Sequence, residues 1–474
     1  MDASFISHLS AIVGPDGVVS NKTALSVYDC DGYTLEKSTP EVVVLPRSTE
    51  EVVAVVKFLH KEKIAFVPRG AGTGLSGGCL PVEAPVMIGT SRMNQILHID
   101  FLNRYVIAQA GVVNLWVSNA VKSQGFQYAP DPSSQQACTI GGNVAENSGG
   151  PHTLKYGVTT NHVLGVELVL PDGEVIQLGG AVEDIPGYDL RGITIGAEGT
   201  FGIVTSATLR LTRLPQAYRT FLAVFESVHD ATQTVSDIIA DGIVPAALEM
   251  MDTLIIQAVE AAFRFGFPTD AGAVLIIEID GLAAGLDPLA TRITHLCEKN
   301  GSREVRVARD DTERLALWKS RKRAFGAVGR LAPNYCTQDG VVPRTKVPDI
   351  LRAISGVAEK YQLRIANVFH AGDGNIHPIL LYDERNAGET ERVLKAGQEI
   401  LTACVDLGGS LTGEHGIGVE KMGQMSLIFS PEDLLIMTQV RSVFNPENRC
   451  NPNKIFPTPH GCIDTRVPRR QVPL

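Results

Sequence analysis

Three histidines and a carboxylate lie in two short, glycine-framed segments, and their types fit a metal-dependent reaction. The first segment contains His370 and His377, seven residues apart, and the second contains the adjacent Glu414 and His415. Two histidines and a carboxylate suit zinc, iron or manganese and leave positions open for a substrate. One such histidine alone would be interpreted as a polar loop residue. Three of the eleven histidines share these two segments, which favours a site.

The strands around His370 must bring the two imidazoles together. Apolar residues run up to His370, and Ile376–Leu381 has the pattern of a following strand. The intervening Gly372–Gly374 indicates a turn, because glycine adopts positive φ without steric cost. A reversal there predicts both imidazoles at one end of a strand pair.

A glycine-rich loop in the N-terminal part, Pro68–Gly78, is suited to binding a phosphate. It has five glycines in eleven residues, so bare backbone N–H groups can converge on a phosphate or pyrophosphate. Gly72–Gly77 also matches the G-x-G-x-x-G spacing of dinucleotide-binding folds, which requires a helix directly after the loop. Pro81 and Pro85 disfavour that helix, and no G-K-S/T follows, so neither a dinucleotide fingerprint nor a nucleotide P-loop is expected.

Further glycine clusters follow at Thr139–Asn143, Asn147–Gly150 and Gly196–Thr205. A glycine-rich bend without a ligand would explain any one of these loops. Together with the first loop, and separated by strand patterns such as Leu164–Val169, they predict a long ligand that lies along several loops.

Composition narrows the class of protein. A length of 474 residues predicts two or three domains, and 44% hydrophobic with 20% charged residues is typical of a globular protein. A net charge of −10 argues against nucleic acid as the ligand. No apolar run reaches the ~18 residues of a membrane span, and no signal peptide is recognised at Met1. The eight cysteines form no C-x-x-C pair, so reduced thiols, no iron–sulfur cluster and a cytoplasmic location are expected.

The glycine motifs resemble a known family. Pro68–Thr73, Thr139–Gly142 and Gly196–Thr200 look like the FAD-binding domain of the vanillyl-alcohol-oxidase type, also called the PCMH type. His370 and His377 with Glu414-His415 are similar to the 2-hydroxy-acid dehydrogenase branch of that family, over residues 38–457.

The resemblance implies an α+β fold and four segments. These are a lead-in (1–37), a PCMH-type FAD-binding domain of two α/β subdomains (38–217), a cap domain (218–415) and a C-terminal helical segment that returns to the FAD domain (416–474). The cap is expected to be an antiparallel sheet with flanking helices on one side.

For FAD, the resemblance implies a set of loop positions. Residues 69–76 would hold the pyrophosphate, residues 139–142 and 147–150 the ribityl and ring side, and residues 199–204 the adenine side. Some relatives attach the flavin through a histidine at the position of Thr73, so noncovalent FAD is expected here; Cys138 lies one residue from where others place a cysteine linkage. The implied cofactor-binding residues are Pro68, Arg69, Gly70, Ala71, Gly72, Thr73, Gly74, Leu75, Ser76, Asp131, Ser134, Thr139, Gly141, Gly142, Asn147, Ser148, Gly149, Tyr156, Gly157, Glu198, Gly199, Gly202, Ile203, Val204 and Asn451.

The resemblance also implies roles at the reacting end. One divalent metal (Zn, Mn or Fe) would bind His370, His377 and Glu414, with both histidines near the substrate, and His415 would be the general base. Arg321 would bind the substrate carboxylate, since a guanidinium matches it bidentately. The neighbouring cations Lys322 and Arg323 are interpreted as a solvated helix face.

The expected reaction is oxidation of a small D-2-hydroxy acid, glycolate or D-lactate, to the 2-oxo acid. Apolar Phe325 and Ile379, where relatives acting on larger diacids carry polar groups, favour a small substrate. Electrons would pass to an external quinone, cytochrome or iron–sulfur partner subunit. The chain would act as a homodimer or with partner subunits, which could hold it at the inner face of a membrane. Alternatives are a D-2-hydroxyglutarate-type dehydrogenase, a catalytically silent flavin subunit and a metal-dependent hydrolase.

Overall fold

The N-terminal part begins with a four-stranded sheet. The computed structural model describes residues 1–183 and 186–457; the last part of the predicted C-terminal segment, 458–474, lies outside the described residues. The elements are β1 (Val18–Val19), β2 (Val42–Val44), β3 (Phe66–Arg69), β4 (Val86–Gly89), α1 (Ala3–Val13), α2 (Lys22–Leu25) and α3 (Thr49–Lys61). The strand order is β1-β2-β4-β3, with β2, β4 and β3 parallel.

The glycine-rich loop joins β3 to its parallel neighbour β4. Parallel strands cannot be joined by a tight hairpin, so the chain needs a long connection, and here residues 70–85 supply it without a helix or strand. The prediction that no dinucleotide-binding helix follows the loop is confirmed.

A second, five-stranded antiparallel sheet follows, and the other glycine clusters lie in this part of the chain. Its strands follow the order β5-β6-β10-β8-β9, and a small ribbon joins β7 to β11. The elements are β5 (Ile96–Asp100), β6 (Tyr105–Gln109), β7 (Phe126–Gln127), β8 (Val163–Val169), β9 (Val175–Gly179), β10 (Ile203–Arg210), β11 (Thr212–Arg213), α4 (Asn114–Val121), α5 (Ile140–Glu146), α6 (Thr153–Tyr156) and α7 (Leu190–Thr194). The glycine clusters lie at the start of α5, after α5 and at the start of the central strand β10.

The third sheet is antiparallel and carries both predicted histidines. Its order is β15-β12-β14-β13-β18-β19-β16, with β17 also paired to β19. The elements are β12 (Ala217–Phe225), β13 (Ala247–Asp252), β14 (Ala273–Gly281), β15 (Glu304–Val307), β16 (Asn334–Thr337), β17 (Gly340–Val341), β18 (Arg364–His370), β19 (Asn375–Tyr382), α8 (Val228–Ala240), α9 (Thr253–Phe263), α10 (Ala283–Lys299), α11 (Asp311–Lys322), α12 (Ala324–Val328), α13 (Val347–Tyr361) and α14 (Glu389–Asp406).

Helices cover both faces of this third sheet, so the expectation of helices on one side is wrong. Phe221 and Phe225 of β12 pack with α8, α10, α13 and α14, whereas Leu222 and Val224 pack with α9, α11 and α12. A strand buried on both faces is a continuous apolar run, and such a run does not reveal how many faces carry helices.

The C-terminal segment returns to the first sheet. The segment that follows α15 (Pro431–Phe444) pairs with Phe66 of β3. The Phe66 N–H donates to Arg449 O (2.9 Å), and the Phe66 carbonyl accepts from Asn451 N (2.8 Å). The buried Lys454 Nζ donates to Leu80 O (2.8 Å). The edge of β3 is thereby closed by residues far along the chain.

Within the described ranges, no helix combines the length and apolarity needed to cross a bilayer.

Candidate active site

The hairpin of β18 and β19 brings the two predicted histidines together. His370 pairs with Asn375 and His377 with Val368, so both side chains project from one face, with ring centroids 5.1 Å apart. Gly374 closes the turn with φ +82°, and an added Cβ would lie 2.1 Å from a backbone oxygen. The sequence prediction for this reversal is confirmed.

Asp339, a fully buried residue that the sequence did not single out, holds the loop carrying Glu414 and His415. One carboxylate oxygen, Oδ2, accepts hydrogen bonds from Thr412 Oγ1 (2.6 Å) and from the backbone N–H groups of Gly413 (2.9 Å), Glu414 (3.2 Å) and His415 (2.9 Å). A charged acceptor with several donors fixes the loop more firmly than a neutral one.

Three ligand atoms converge where these elements meet. Glu414 Oε1 lies 3.2 Å from His370 Nε2 and 3.2 Å from His377 Nε2. Two nitrogens and one carboxylate oxygen form the donor set expected for zinc, iron or manganese, and the three groups lie close enough to share one ion.

The electrostatics of this cluster favour a cation. Burial disfavours the charged carboxylate of Glu414, but His370 and His377 outweigh it and hold its pKa well below the usual range. Burial likewise opposes the charged form of His370, yet Glu249 and Glu414 raise its pKa well above the ordinary value. Two carboxylates around one imidazole therefore attract positive charge, whether a proton or a divalent metal supplies it.

A second cluster, Asp339 with His377 and His415, has metal-like spacing as well. Its carboxylate is already engaged by the loop and does not line the cavity described below, whereas His370, His377 and Glu414 all line it. The latter cluster is the one that a substrate can reach.

His415 lies beside the ligands without joining them. Its ring stacks on His377 with centroids 4.9 Å apart and planes 2° apart, and it lines the same cavity. Burial lowers the pKa of His415 to about 4, so its imidazole is neutral at pH 7. Within the described part of the chain, Nδ1 has no hydrogen-bond partner.

Arg321 lies behind the site rather than on the cavity wall. Its side chain is fully buried, and Nη2 lies 2.6 Å from Glu249 Oε2, an ion pair without hydrogen-bond geometry. Nε and Nη1 have no hydrogen-bond partner among the residues that the structure describes. The guanidinium thus retains donors for an anion, but is separate from the groups that line the cavity.

The interpretation as a solvated face is wrong for Lys322, whereas Arg323 is exposed as expected. Lys322 lines the cavity and its Nζ lies 3.1 Å from Asp131 Oδ2, and the Arg323 guanidinium lies over the Phe263 ring at 5.1 Å. Each cation has a partner that the sequence could not show, because both partners lie far away in the chain.

One cavity joins the histidine cluster to the glycine loops. Most of the positions predicted to bind the cofactor line it, as do the three ligands and His415. The predicted positions on its wall are Pro68, Arg69, Gly70, Ala71, Gly72, Thr73, Gly74, Leu75, Ser134, Thr139, Gly141, Gly142, Ser148, Gly149, Glu198, Gly199, Gly202, Ile203 and Val204.

Six predicted cofactor positions lie off this wall and support it instead. Asp131 binds His152 and Lys322, Tyr156 donates to Asp280, and Asn451 donates to Gly78 O and Glu198 O. The remaining three are Ser76, Asn147 and Gly157. Glycine-rich and hydroxyl-bearing segments predict a loop, but not which of its side chains turn inward.

Comparison with known families identifies both parts of the chain. Residues 40–179 match the family described as FAD binding domain, and residues 214–455 match the family described as FAD linked oxidases, C-terminal domain. The chain belongs to the FAD-linked oxidases.

Curated relatives of this FAD-linked oxidase align over nearly the whole chain. It is 45% identical to glycolate oxidase subunit GlcD of Escherichia coli (strain K12), over 92% of this chain and 88% of the relative. It is 40% identical to glycolate oxidase subunit GlcD of Bacillus subtilis (strain 168), over 94% and 96%. It is 33% identical to D-lactate dehydrogenase of Anaerostipes hadrus, over 88% and 90%.

Solved structures support the predicted fold class. 4-Ethylphenol oxidase from Gulosibacter chungangensis superposes with a TM-score of 0.80, at 19% identity over 96% of this chain and 97% of that one. p-Cresol methylhydroxylase superposes with a TM-score of 0.78, at 17% identity over 95% and 96%. The predicted α+β fold with a PCMH-type FAD-binding domain is confirmed.

The cavity of this FAD-linked oxidase has polar groups that sequence reasoning missed. Asp31, from the unpatterned lead-in, and Cys79 lie against Arg69, whose Nη1 donates to Cys79 Sγ (3.3 Å). Glu146 lines the wall beside Glu198, and burial next to that carboxylate raises its pKa well above the usual range. Asp31, Cys79 and Glu146 stand outside the glycine-dense segments from which the cofactor positions were predicted.

The end of the cavity near the histidines is aromatic. The Phe325 ring lies edge-on to His377 with centroids 6.1 Å apart, and Tyr335 lines the same cavity. Ile379 does not contribute to this wall; it is fully buried in the core between the third sheet and α9, so its apolar character reflects packing.

Proposed function

We propose that this chain oxidises a small D-2-hydroxy acid, glycolate or D-lactate, to the corresponding 2-oxo acid. The observation that supports this reaction is a single cavity with flavin loops on one side and His370, His377, Glu414 and His415 on the other. The relatives' names, glycolate oxidase subunit and D-lactate dehydrogenase, point to the same substrate class.

The chain's own residues divide the work. His370, His377 and Glu414 would hold one divalent metal, Zn, Mn or Fe. Bound FAD supplies the hydride acceptor at N5, and the bound metal supplies Lewis acidity that lowers the pKa of the substrate hydroxyl. His415 takes the hydroxyl proton as the Cα hydrogen leaves as hydride. Arg321 would attract the substrate carboxylate from behind the cavity wall, as a buried cation whose Nε and Nη1 have no partner in the described part of the chain.

Phe325 and Tyr335 favour a small substrate over a D-2-hydroxyglutarate-type diacid. Both rings line the cavity, Phe325 beside His377, and an apolar wall gives a second carboxylate no partner for its buried charge. Lys322, the cation on the cavity wall, already has an acidic partner in Asp131.

The electrons must leave the chain for an external acceptor. No second redox centre is indicated by the cysteines, since the seven in the described ranges are free thiols. We propose a quinone, a cytochrome or an iron–sulfur partner subunit as the acceptor, consistent with the word subunit in the names of two relatives. The chain would act as a homodimer or with such partners.

Anaerobic flavin bleaching tests the proposal. The purified protein is mixed with D- and L-2-hydroxy acids, including glycolate, D-lactate and D-2-hydroxyglutarate. Bleaching by glycolate or D-lactate, lost on chelation while FAD stays bound, is expected. A flavoprotein that no 2-hydroxy acid bleaches would instead be a silent flavin subunit. A colourless protein, without bound flavin, would favour the metal-dependent hydrolase.

A further inference from the structure

Glu249 is a buried carboxylate beneath the histidine cluster. It lies on β13, directly opposite His370 in the pairing of β13 with β18. Its side chain is completely buried and it does not line the cavity. A carboxylate held in the core needs partners for its charge.

Each oxygen of Glu249 faces a different functional residue. Oε1 lies 2.8 Å from His370 Nδ1, and Oε2 lies 2.6 Å from Arg321 Nη2. We propose that Glu249 is one positioning residue for two tasks, the metal ligand His370 and the substrate-binding Arg321. This inference rests on the proposed function for the roles of those two residues.

The contact with His370 selects the tautomer that can bind a metal. A carboxylate only accepts, so Glu249 keeps the hydrogen on Nδ1, and Nε2 is the nitrogen whose lone pair becomes available when a metal takes the place of its proton. That same Nε2 points to Glu414, 3.2 Å away. Carboxylates placed behind ligating histidines orient the ring and raise its basicity.

The contact with Arg321 fixes a guanidinium that would otherwise be a lone charge in the core. Its side chain is fully buried, and an unpaired buried charge is strongly unfavourable. Glu249 faces only one nitrogen of the guanidinium, Nη2. The other two, Nε and Nη1, have no hydrogen-bond partner in the described part of the chain. Glu249 thus holds in place the positive charge that lies behind the cavity wall and would attract a substrate carboxylate.

Glutamine cannot replace Glu249 in both tasks. Its amide has one acceptor oxygen, whereas both Arg321 and the metal-binding tautomer of His370 require an acceptor. If the oxygen serves Arg321, the NH₂ group faces Nδ1 and favours the tautomer with hydrogen on Nε2. If it serves His370, Arg321 loses its anionic partner.

Cobalt binding to the flavoprotein tests the proposal. Parent and Glu249→Gln holoprotein, stripped of metal with FAD retained, are titrated with Co²⁺ against a competing chelator. We expect affinity to fall about 10- to 100-fold, as is usual for residues behind metal ligands, and the KM for the 2-hydroxy acid to rise about 10-fold or more. Asp252→Asn is the matched control. Asp252 is a buried carboxylate on the same strand as Glu249, and its Oδ1 caps α9 by accepting a hydrogen bond from Ile255 N (3.0 Å). Asparagine also caps helices well, so this substitution should preserve the cap.

The outcomes separate this inference from the proposed function. Equal Co²⁺ affinity and equal KM in the parent and Glu249→Gln overturn the inference alone. A parent that binds no Co²⁺ overturns the proposed metal site and the inference with it. If Glu249→Gln does not yield folded flavoprotein, Glu249→Asp, which keeps both oxygens but shortens their reach, should show a smaller loss of affinity. Unchanged affinity there contradicts the proposal.

Discussion

His415 and His377 stack face to face, yet only His377 directs a nitrogen at Glu414. This difference is the reason for proposing His415 as the base and His377 as a metal ligand. We expect His415→Ala to keep FAD and metal but to slow flavin reduction about 10²- to 10⁴-fold, the usual effect of losing a general base. Stopped-flow reduction at saturating substrate measures it.

Arg321→Ala is the comparison for His415→Ala, because it should act mainly on substrate affinity. Flavin reduction at the parent rate in His415→Ala would exclude that residue as the base.

The flavin should be bound without a covalent link. Thr73 occupies the position of a linkage histidine and lines the cavity, and burial raises the pKa of the Cys138 thiol, which keeps it from forming a nucleophilic thiolate. Acid precipitation should therefore release the yellow colour into the supernatant. Colour that stays in the pellet of the parent but not of Cys138→Ser would identify a cysteine linkage.

Single residues differ in how well the sequence reveals them. His370, His377 and Glu414 stand among glycines and could be predicted, and the structure brings them together. Glu249 and Asp339 could not, because an isolated carboxylate beside an apolar run has no local signature. Their partners lie 121 and 76 residues away in the chain, respectively His370 and His415.

At the scale of elements, the loop from Thr412 to Gly416 depends on Asp339. Asp339→Asn would leave a neutral acceptor for four donors, and would remove the charge that faces the buried Lys421 Nζ at 3.6 Å. We expect the free energy of unfolding to fall by about 3 kcal/mol, as when a buried pair loses one partner. Metal affinity should fall with it while FAD remains bound.

Denaturant unfolding and metal titration check the Asp339 prediction. Thr412→Val, which removes a single donor to the same oxygen, is the matched control and should cost less. A loop that binds metal equally well in Asp339→Asn would show that the backbone alone sets its shape.

Elements with a strong local pattern could be predicted, and those defined by tertiary contacts could not. The glycine turn predicts the β18–β19 hairpin. The start of α3 is marked by a capping serine, Ser48, whose Oγ accepts a hydrogen bond from Glu51 N (3.3 Å). The helices on both faces of the third sheet did not follow, since its strands are apolar throughout.

At the scale of the molecule, a buried ionic network joins the FAD-binding part to the cap. His152 Nδ1 lies 3.0 Å from Asp131 Oδ2 and Nε2 lies 3.5 Å from Glu278 Oε1, and its ring packs on Trp318. Burial opposes the charge, but the two carboxylates raise the pKa of His152 to about 10. The sequence assigned Asp131 to the cofactor because its partners could not be seen.

His152→Gln should therefore lower the free energy of unfolding in a pH-dependent way. Because the pKa of His152 is higher in the folded state than its unfolded value of about 6.5, the charged ring contributes its full stabilisation below about pH 6.5. That contribution to the free energy of unfolding is lost as pH rises through about 10. The difference between parent and variant should be about 3–5 kcal/mol near pH 6 and shrink toward pH 10.

Chemical denaturation at several pH values measures this difference. Lys322 and Arg314 also face these carboxylates, so Arg314→Gln, which removes a guanidinium that stays charged over this range, is the control. A difference that does not change with pH would mean that His152 acts through packing alone.

The return of the C-terminal segment to β3 has a consequence for biosynthesis. The contact between Lys454 and Leu80 joins residues 374 positions apart, and at a translation rate of about 5–20 residues per second their synthesis is separated by on the order of 20–75 s. Throughout that interval the nascent first sheet has an open edge at Phe66. Flavin binding should therefore be completed late, only after residues 449–454 have emerged from the ribosome. Truncated mRNAs that end before the codon for residue 449 should yield colourless protein.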